Sequence, residues 1–460
     1  MKHINKTILL SFTVLALLVL GFGCKGLSAT EQASVKPVTI NYWTVYNDVD
    51  TLNKFAGEFK QKFPYVTINI RQVREDQFAS LFTNALADDV APDIISVSNR
   101  ELRKYQDRLN PMPASASLST ITVTGKYFKE TIIGSEVITL PTALGLKTSF
   151  VDTVYNDVVL AGKIYALPLA VDNMAIYYNK DLLDKAGIPE PPKTWDEFME
   201  DVKKTTIFDK DGNIIQSGVA MGTGNNISRA YDILSLLMMQ SGVVMARGQA
   251  VTFANGVEEV GLRHPALAAL RFYTDFAKKD KEVYSWNEKI KNTDLQNFVS
   301  GKSAFYLGFA YDYERLKKSG PQLNLEIIPM LQLSETKPVN VANYWLEAVT
   351  KKSKHKNEAW GFLGFITTPE KIKVYTKSAK SPTPIRAQIN EQKQDPVLSP
   401  FASQILQSEN WYRGKDGAGV ERAFKTLITN YLKPYAAEEE AVVRDANLLI
   451  YTSQLVQQTM

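Results

Sequence analysis

Gly301-Lys302-Ser303 has the residue order that closes a phosphate-binding loop, in which backbone amides and a lysine cradle phosphate oxygens. The glycine that should open such a loop is Gln296 here, and the residues before it repeat with a helical rather than a strand period. Asp209-Lys210-Asp211-Gly212-Asn213 begins like a calcium loop, but its glycine comes two places early and Ala220 stands where a bidentate acid belongs. A hairpin turn is the better reading. Gly222 and Gly224 lack the third glycine of a dinucleotide fingerprint, since position 227 is Ile. Beyond His3 near the amino terminus, the histidines are His264 and His355, neither in an HExxH pattern. Cys24 is the single cysteine, so a disulfide, a zinc cluster or a CxxC redox pair cannot be built within one chain. Glycosidic hydrolysis needs two carboxylates about 5–9.5 Å apart. Asp172 and Glu347 can be imagined in that role, yet nothing in their spacing demands it. We therefore expect no catalytic set, no metal and no cofactor.

The elements that would position a site alternate between strand and helix patterns. Val38 to Trp43 is β-branched and aromatic, and Leu52, Phe55, Phe59 and Phe63 then recur at helical spacing until Pro64 stops them. Val66 to Ile70 alternates as a second strand, Phe78, Leu81, Phe82, Ala85 and Leu86 mark a second helix, and Asp93 to Val97 reads as a buried third strand. Such β-α-β-α-β order makes right-handed crossovers and a parallel sheet, with a ligand crevice beyond the carboxyl ends of the strands. Trp43, Tyr46 and Asp48 follow one such end, and Ser98 and Asn99 follow another. With 460 residues, 45% of them hydrophobic, the chain can fill two cores at ~100–200 residues each. The formal charge of +4 falls to +2 if Lys2 and Lys6 leave with a leader, which is too small and too dispersed for nucleic-acid binding. The basic run of Lys351, Lys352, Lys354 and Lys356 reads as a solvated helix start.

The motifs along the chain resemble one family. Thr39-Ile40-Asn41-Tyr42-Trp43-Thr44 and Ala91-Pro92-Asp93-Ile94-Ile95 are similar to the opening of the family 1 extracellular solute-binding proteins, the maltose-binding-like group. Gly162 to Pro168, Tyr177 to Leu183, Lys185 to Ile188 and Pro191 to Phe198 follow that family's order and spacing. Phe298 to Ala304 and Ala348 to Glu370 resemble its later segments, so the likeness covers roughly 38–390. Some of these motifs also have a purely structural reason. Thr194 can cap a helix whose third position is Glu197, which makes Trp195 a packing residue, and Asn179 or Asp181 can satisfy free amides at a helix start.

The resemblance implies an α/β, two-lobed periplasmic-binding-protein-like fold of type II, each lobe a doubly wound sheet flanked by helices, with a ligand cleft between lobes. It also implies the solute-binding component of an ABC importer, which takes a mono- or oligosaccharide and hands it to permease subunits. Two stretches suit chain crossings between lobes, Leu167 to Ala175 and Val341 to Ala348, and they would bring Asp172, Asn173, Trp345 and Glu347 to the cleft. An indole face offers area to sugar C–H groups, and a nearby carboxylate accepts hydroxyl hydrogens. Asn225, Arg229, Trp286 and Tyr311 are further candidates, and Trp411 to Arg413 could add a wall or cover the second lobe. The modest charge of this set favours neutral sugars. The alternatives from other classes are a sensor that presents its ligand to a receptor kinase and a secreted glycoside hydrolase.

Lys2 and Lys6 precede an apolar run from Ile8 to Leu20, the layout of a signal peptide. At 1.5 Å per residue that run spans about 20 Å, short of the roughly 30 Å hydrocarbon core. Gly21-Phe22-Gly23-Cys24 resembles the lipobox of bacterial lipoproteins, with Gly21 where Leu is usual, and implies acylation of Cys24. We expect a leader over 1–23 and a flexible, lipidated tether over 24–36. One lobe is expected from 37–172 with about 300–343, and the second from 173–299 with about 344–460. The protein should be exported, held by lipid at the outer face of the cytoplasmic membrane, and monomeric.

Overall fold

The structure, a computed structural model, describes residues 27–126, 129–435 and 440–460. The expected leader and Cys24 lie outside the described residues. Within the expected tether, Ala29–Ser34 is a short helix rather than flexible chain. The reason is local: Ser28 and Glu31 form a reciprocal capping box that satisfies the first free amides.

In chain order the strands of the two main sheets are β1 (Val38–Thr44), β2 (Val66–Gln72), β3 (Ile94–Ser98), β4 (Leu167–Pro168), β5 (Met174–Asn179), β6 (Ile207–Phe208), β7 (Ile214–Val219), β8 (Ser303–Phe309), β9 (Leu325–Pro329) and β10 (Trp345–Val349). The first sheet runs β2-β1-β3-β10-β4, with β1 parallel to both β2 and β3 and β10 antiparallel to β3. Two helices connect its parallel strands, α1 (Val49–Lys62) and α2 (Glu75–Ala87). The 3.6-residue period turns Leu52, Phe55 and Phe59 of α1 and Phe78, Phe82 and Ala85 of α2 onto the sheet, where all are buried. Pro64, just past Phe63, ends the first helix because it can neither donate nor continue the ladder.

The second sheet runs β6-β7-β8-β5-β9, with β5 antiparallel to β8 and β9. The hairpin between β6 and β7 is the Asp209 turn, where the Asp209 carboxylate accepts from the amides of Asp211 and Asn213. Thr194 caps the helix Trp195–Thr205, and Trp195 is buried in this lobe's core. Strand β8 is buried along its whole length, as a central strand between two partners must be.

The pairing exchanges the two return segments of the expected lobes. Residues from about 300 to 343 were assigned to the first lobe, but β8 and β9 pair with β5 in the second. Residues from about 344 were assigned to the second lobe, but β10 pairs with β3, and the first core continues through Trp360 and Tyr375 to Ile405. The chain changes lobes at Val341–Tyr344, so the strands before that point belong to the lobe it leaves. Around that point Asn173 bridges Ala342, and Asn340–Val341 pairs in parallel with Ser408–Glu409. The last pair is a third crossing, after which Tyr412, Phe424 and Leu449 complete the second core.

Candidate functional site

A cavity of about 600 Å³ opens where the two sheets face each other. The loop after β1 supplies Tyr46, the end of β3 supplies Ser98 and Arg100, and the return crossing supplies Asn343 and Trp345. The opposite wall is the loop Asn225–Arg229, which leads into helix α3 (Ala230–Gln240), together with Tyr311 beyond β8. Helix α4 (Gly417–Tyr431) closes one end with Glu421 and Lys425.

Three aromatic rings from both lobes meet at this cavity. Tyr46 stacks on Tyr311, with centroids 5.6 Å apart and planes 23° from parallel, and its centroid is 5.3 Å from that of Trp345. The Tyr46 hydroxyl donates to Glu75 at 2.7 Å, which orients the ring. Tyr311 stacks in turn on Phe309 at 5.5 Å, and the Arg229 guanidinium lies 5.3 Å from both rings. Such faces suit the C–H surfaces of a pyranose, and the surrounding amides and charges suit its hydroxyls.

Polar groups bridge the walls. Arg100 forms an ion pair with Asp232 on α3, reaches Glu421 on α4 at 3.0 Å, and lies 4.8 Å from the Tyr231 ring. Burial works against its charge, but the fields of Asp232, Tyr231 and Glu421 together with the Asp232 hydrogen bond outweigh it and raise the guanidinium's pKa. Glu101 accepts from the Gly417 amide at 2.8 Å. All these contacts join the first lobe to the second.

Of the residues expected at the cleft, Tyr46, Asn225, Arg229, Tyr311 and Trp345 line the cavity. The other seven do not. Trp43 packs against the first core under Arg71, 5.2 Å from its ring. Asp48 caps α1 and accepts from Thr51 and Ser378. Asn99 turns inward to Asp157 and the Ala342 carbonyl. Asn173 donates to the Phe401 carbonyl within the crossing. Trp286 is fully buried and donates to Asn226 at 3.0 Å, so it positions a cavity residue instead of being one. Trp411 and Tyr412 cover the second core.

Asp172 and Glu347 are buried in separate networks. Asp172 accepts from the amides of Asn173, Ala310 and Tyr311, and thereby ties the first crossing to the segment that carries Tyr311. Burial pushes its carboxyl up to about 7 although those amides pull the other way. Glu347 shares a face of β10 with Trp345 but sits one pleat deeper, where it accepts from Tyr42, Asn47 and Ser96. Burial pushes its carboxyl up to about 7 as well. The cavity residues that sequence reasoning missed include Arg100, next to the strand end marked by Ser98 and Asn99, and Glu421, on a helix whose sequence carried no cue.

The model of the bacterial extracellular solute-binding protein family matches residues 46–373. The chain belongs to that family. This solute-binding protein is 24% identical over 415 residues to the multiple sugar-binding protein of Streptococcus mutans, across 88% of each chain. Its fold matches that of a cyclo/maltodextrin-binding protein complexed with maltotetraose at a TM-score of 0.66 and 18% identity, covering 92% of this chain and 98% of the other. A solute-binding protein of Thermotoga lettingae bound with alpha-D-tagatose also matches at 0.66, with 17% identity over 92% and 99% of the two chains.

Proposed function

We propose that this solute-binding protein captures a saccharide between its lobes and delivers it to the permease of an ABC importer, without converting it. The observation that carries the reading is the trio of Tyr46, Tyr311 and Trp345, contributed by both lobes to one cavity. Aromatic faces recruited from two bodies give a ligand affinity that depends on closure, which is what a capture-and-release carrier needs. The names of its relatives support the solute class. Residues 1–23 act as the export leader and acylated Cys24 as the anchor, with the chain working as a monomer. No helix among the described residues is long and apolar enough to cross a membrane. Two acyl chains give stable attachment where one is marginal.

A thermal-shift screen against a saccharide panel tests the reading. Saturation at 100 times Kd adds about 2.7 kcal/mol and should raise the midpoint of lobes this size by several degrees. The sugar should be recovered unchanged after incubation. A panel in which only non-carbohydrate solutes stabilise the protein refutes the proposal.

A further inference from the structure

The cavity is more cationic than a neutral sugar requires, and Arg229, the cation beside its aromatic rings, is left without an ion pair among the described residues. Glu421 is engaged by Arg100, Glu101 by Lys104, and Glu75 accepts the Tyr46 hydroxyl. Arg229 has no such partner: its Nε is buried without an acceptor, and among the described residues its guanidinium forms no ion pair. The acids whose fields reach it form their own contacts elsewhere: Asp232 and Glu421 with Arg100, Asp312 with the Tyr306 hydroxyl and the Phe309 amide, and Asp294 with the Ser228 amide and hydroxyl. The 11-residue helix α3 begins directly after Arg229, without a side-chain cap, so its positive end adds to the same field. Lys425 and Arg315 line the cavity as well, and neither forms an ion pair among the described residues.

We infer that the solute is an acidic saccharide, one whose carboxylate seats on Arg229 while its ring meets Tyr46, Tyr311 and Trp345. This rests on the saccharide reading above and narrows it. Sugar hydroxyls can satisfy hydrogen bonds, but they leave the guanidinium's charge unpaired once closure excludes water, and an unpaired buried charge is costly. A carboxylate supplies both acceptors in the planar fork that arginine presents. The cleft thus differs from the neutral-sugar site expected from the sequence, because only Arg229 of the cavity's five cations stood in the expected set.

A phosphate ester offers the same anionic chemistry, so the test separates the two. Calorimetric titration compares digalacturonate, diglucuronate and cellobiouronic acid with their methyl esters, and adds maltose, cellobiose and glucose 6-phosphate. At least one acid should bind roughly 10- to 100-fold tighter than its ester, a difference that shrinks with added salt. Arg229→Gln should bring that acid-to-ester ratio close to one, and Arg229→Lys should restore part of it. The unfolding midpoint of each variant reports whether the fold is intact. Esters and neutral disaccharides that bind as tightly as the acids would overturn the inference and leave the saccharide reading standing. Tighter binding of glucose 6-phosphate than of every uronate overturns the carboxylate in favour of phosphate. If no saccharide binds, both readings fall.

Discussion

The phenol rings of Tyr46 and Tyr311, one from each lobe, lie stacked across the cleft with centroids 5.6 Å apart. Neither lobe alone can make this contact, because Tyr46 follows β1 of the first sheet and Tyr311 follows β8 of the second. A solute that enters between the rings would exchange one aromatic face for another, at little cost to either lobe.

Tyr46→Ala should therefore weaken saccharide binding by about 1–3 kcal/mol, the range of a lost aromatic contact at a binding hot spot. Tyr46 is 49% exposed, so the substitution should change folding stability by less than about 1 kcal/mol. Calorimetric titration alongside urea unfolding checks both numbers. Unchanged affinity would remove Tyr46 from the site.

Glu347 links stability to pH. Burial raises its carboxyl from 4.5 to about 7, so between those values the folded protein keeps a proton that the unfolded chain releases. Stability must then fall as pH rises through that window and level off above it. The loss from this group is on the order of 3 kcal/mol at most. Asp172, raised from 3.8 to about 7, acts with the same sign. Glu347→Gln should flatten part of the descent, measured as the urea midpoint at several pH values from 4 to 8. Identical slopes for wild type and variant would show that Glu347 titrates in the folded protein as it does in the unfolded chain, with the Tyr42, Asn47 and Ser96 donors offsetting its burial.

Arg100 holds the lobes together through Asp232 and Glu421. Removing one member of a buried pair leaves the other uncompensated, which typically costs about 3–5 kcal/mol. Arg100→Gln should lower stability by that order and let the unliganded lobes separate, seen as a larger radius of gyration by small-angle scattering. Adding Asp232→Asn should recover much of the stability, a coupling that a double-mutant cycle measures directly. Additive effects of the two substitutions would mean that the pair does not couple the lobes.

Periodicity carried the sequence reading as far as local patterns reach. The β-α-β-α-β opening, the Thr194 and Asn179 caps and the first two crossings are each written in a few adjacent residues, and the structure contains all of them. Lobe membership after residue 300 is decided by which strand pairs with β5 and which with β3, a long-range choice that no local pattern encodes. The cleft divides in the same way. Trp345 and Glu347 alternate onto one face of β10, so sequence could group them, but only the depth of the sheet separates a cavity residue from a buried one. Asp232 and Glu421 meet Arg100 from helices far along the chain, which is why a cleft read as nearly neutral is lined with charge.

Two tryptophans that looked alike in sequence now predict opposite outcomes. Trp345 lines the cavity beside Tyr46, whereas Trp43 packs on the first core under Arg71 and has no place on the cavity wall. Trp345→Ala should weaken saccharide binding by about 1–3 kcal/mol. Trp43→Ala should leave affinity unchanged. Trp43 is half-buried, so its loss should cost less than the roughly 3–5 kcal/mol of a fully buried aromatic, plus the small cation–π term with Arg71. The Trp345 variant should lose less stability, because that ring already faces the cavity on one side. Titration and unfolding of both variants, run side by side, separate the roles: a Trp345 variant that binds normally but unfolds early would move this residue from the cleft to the core.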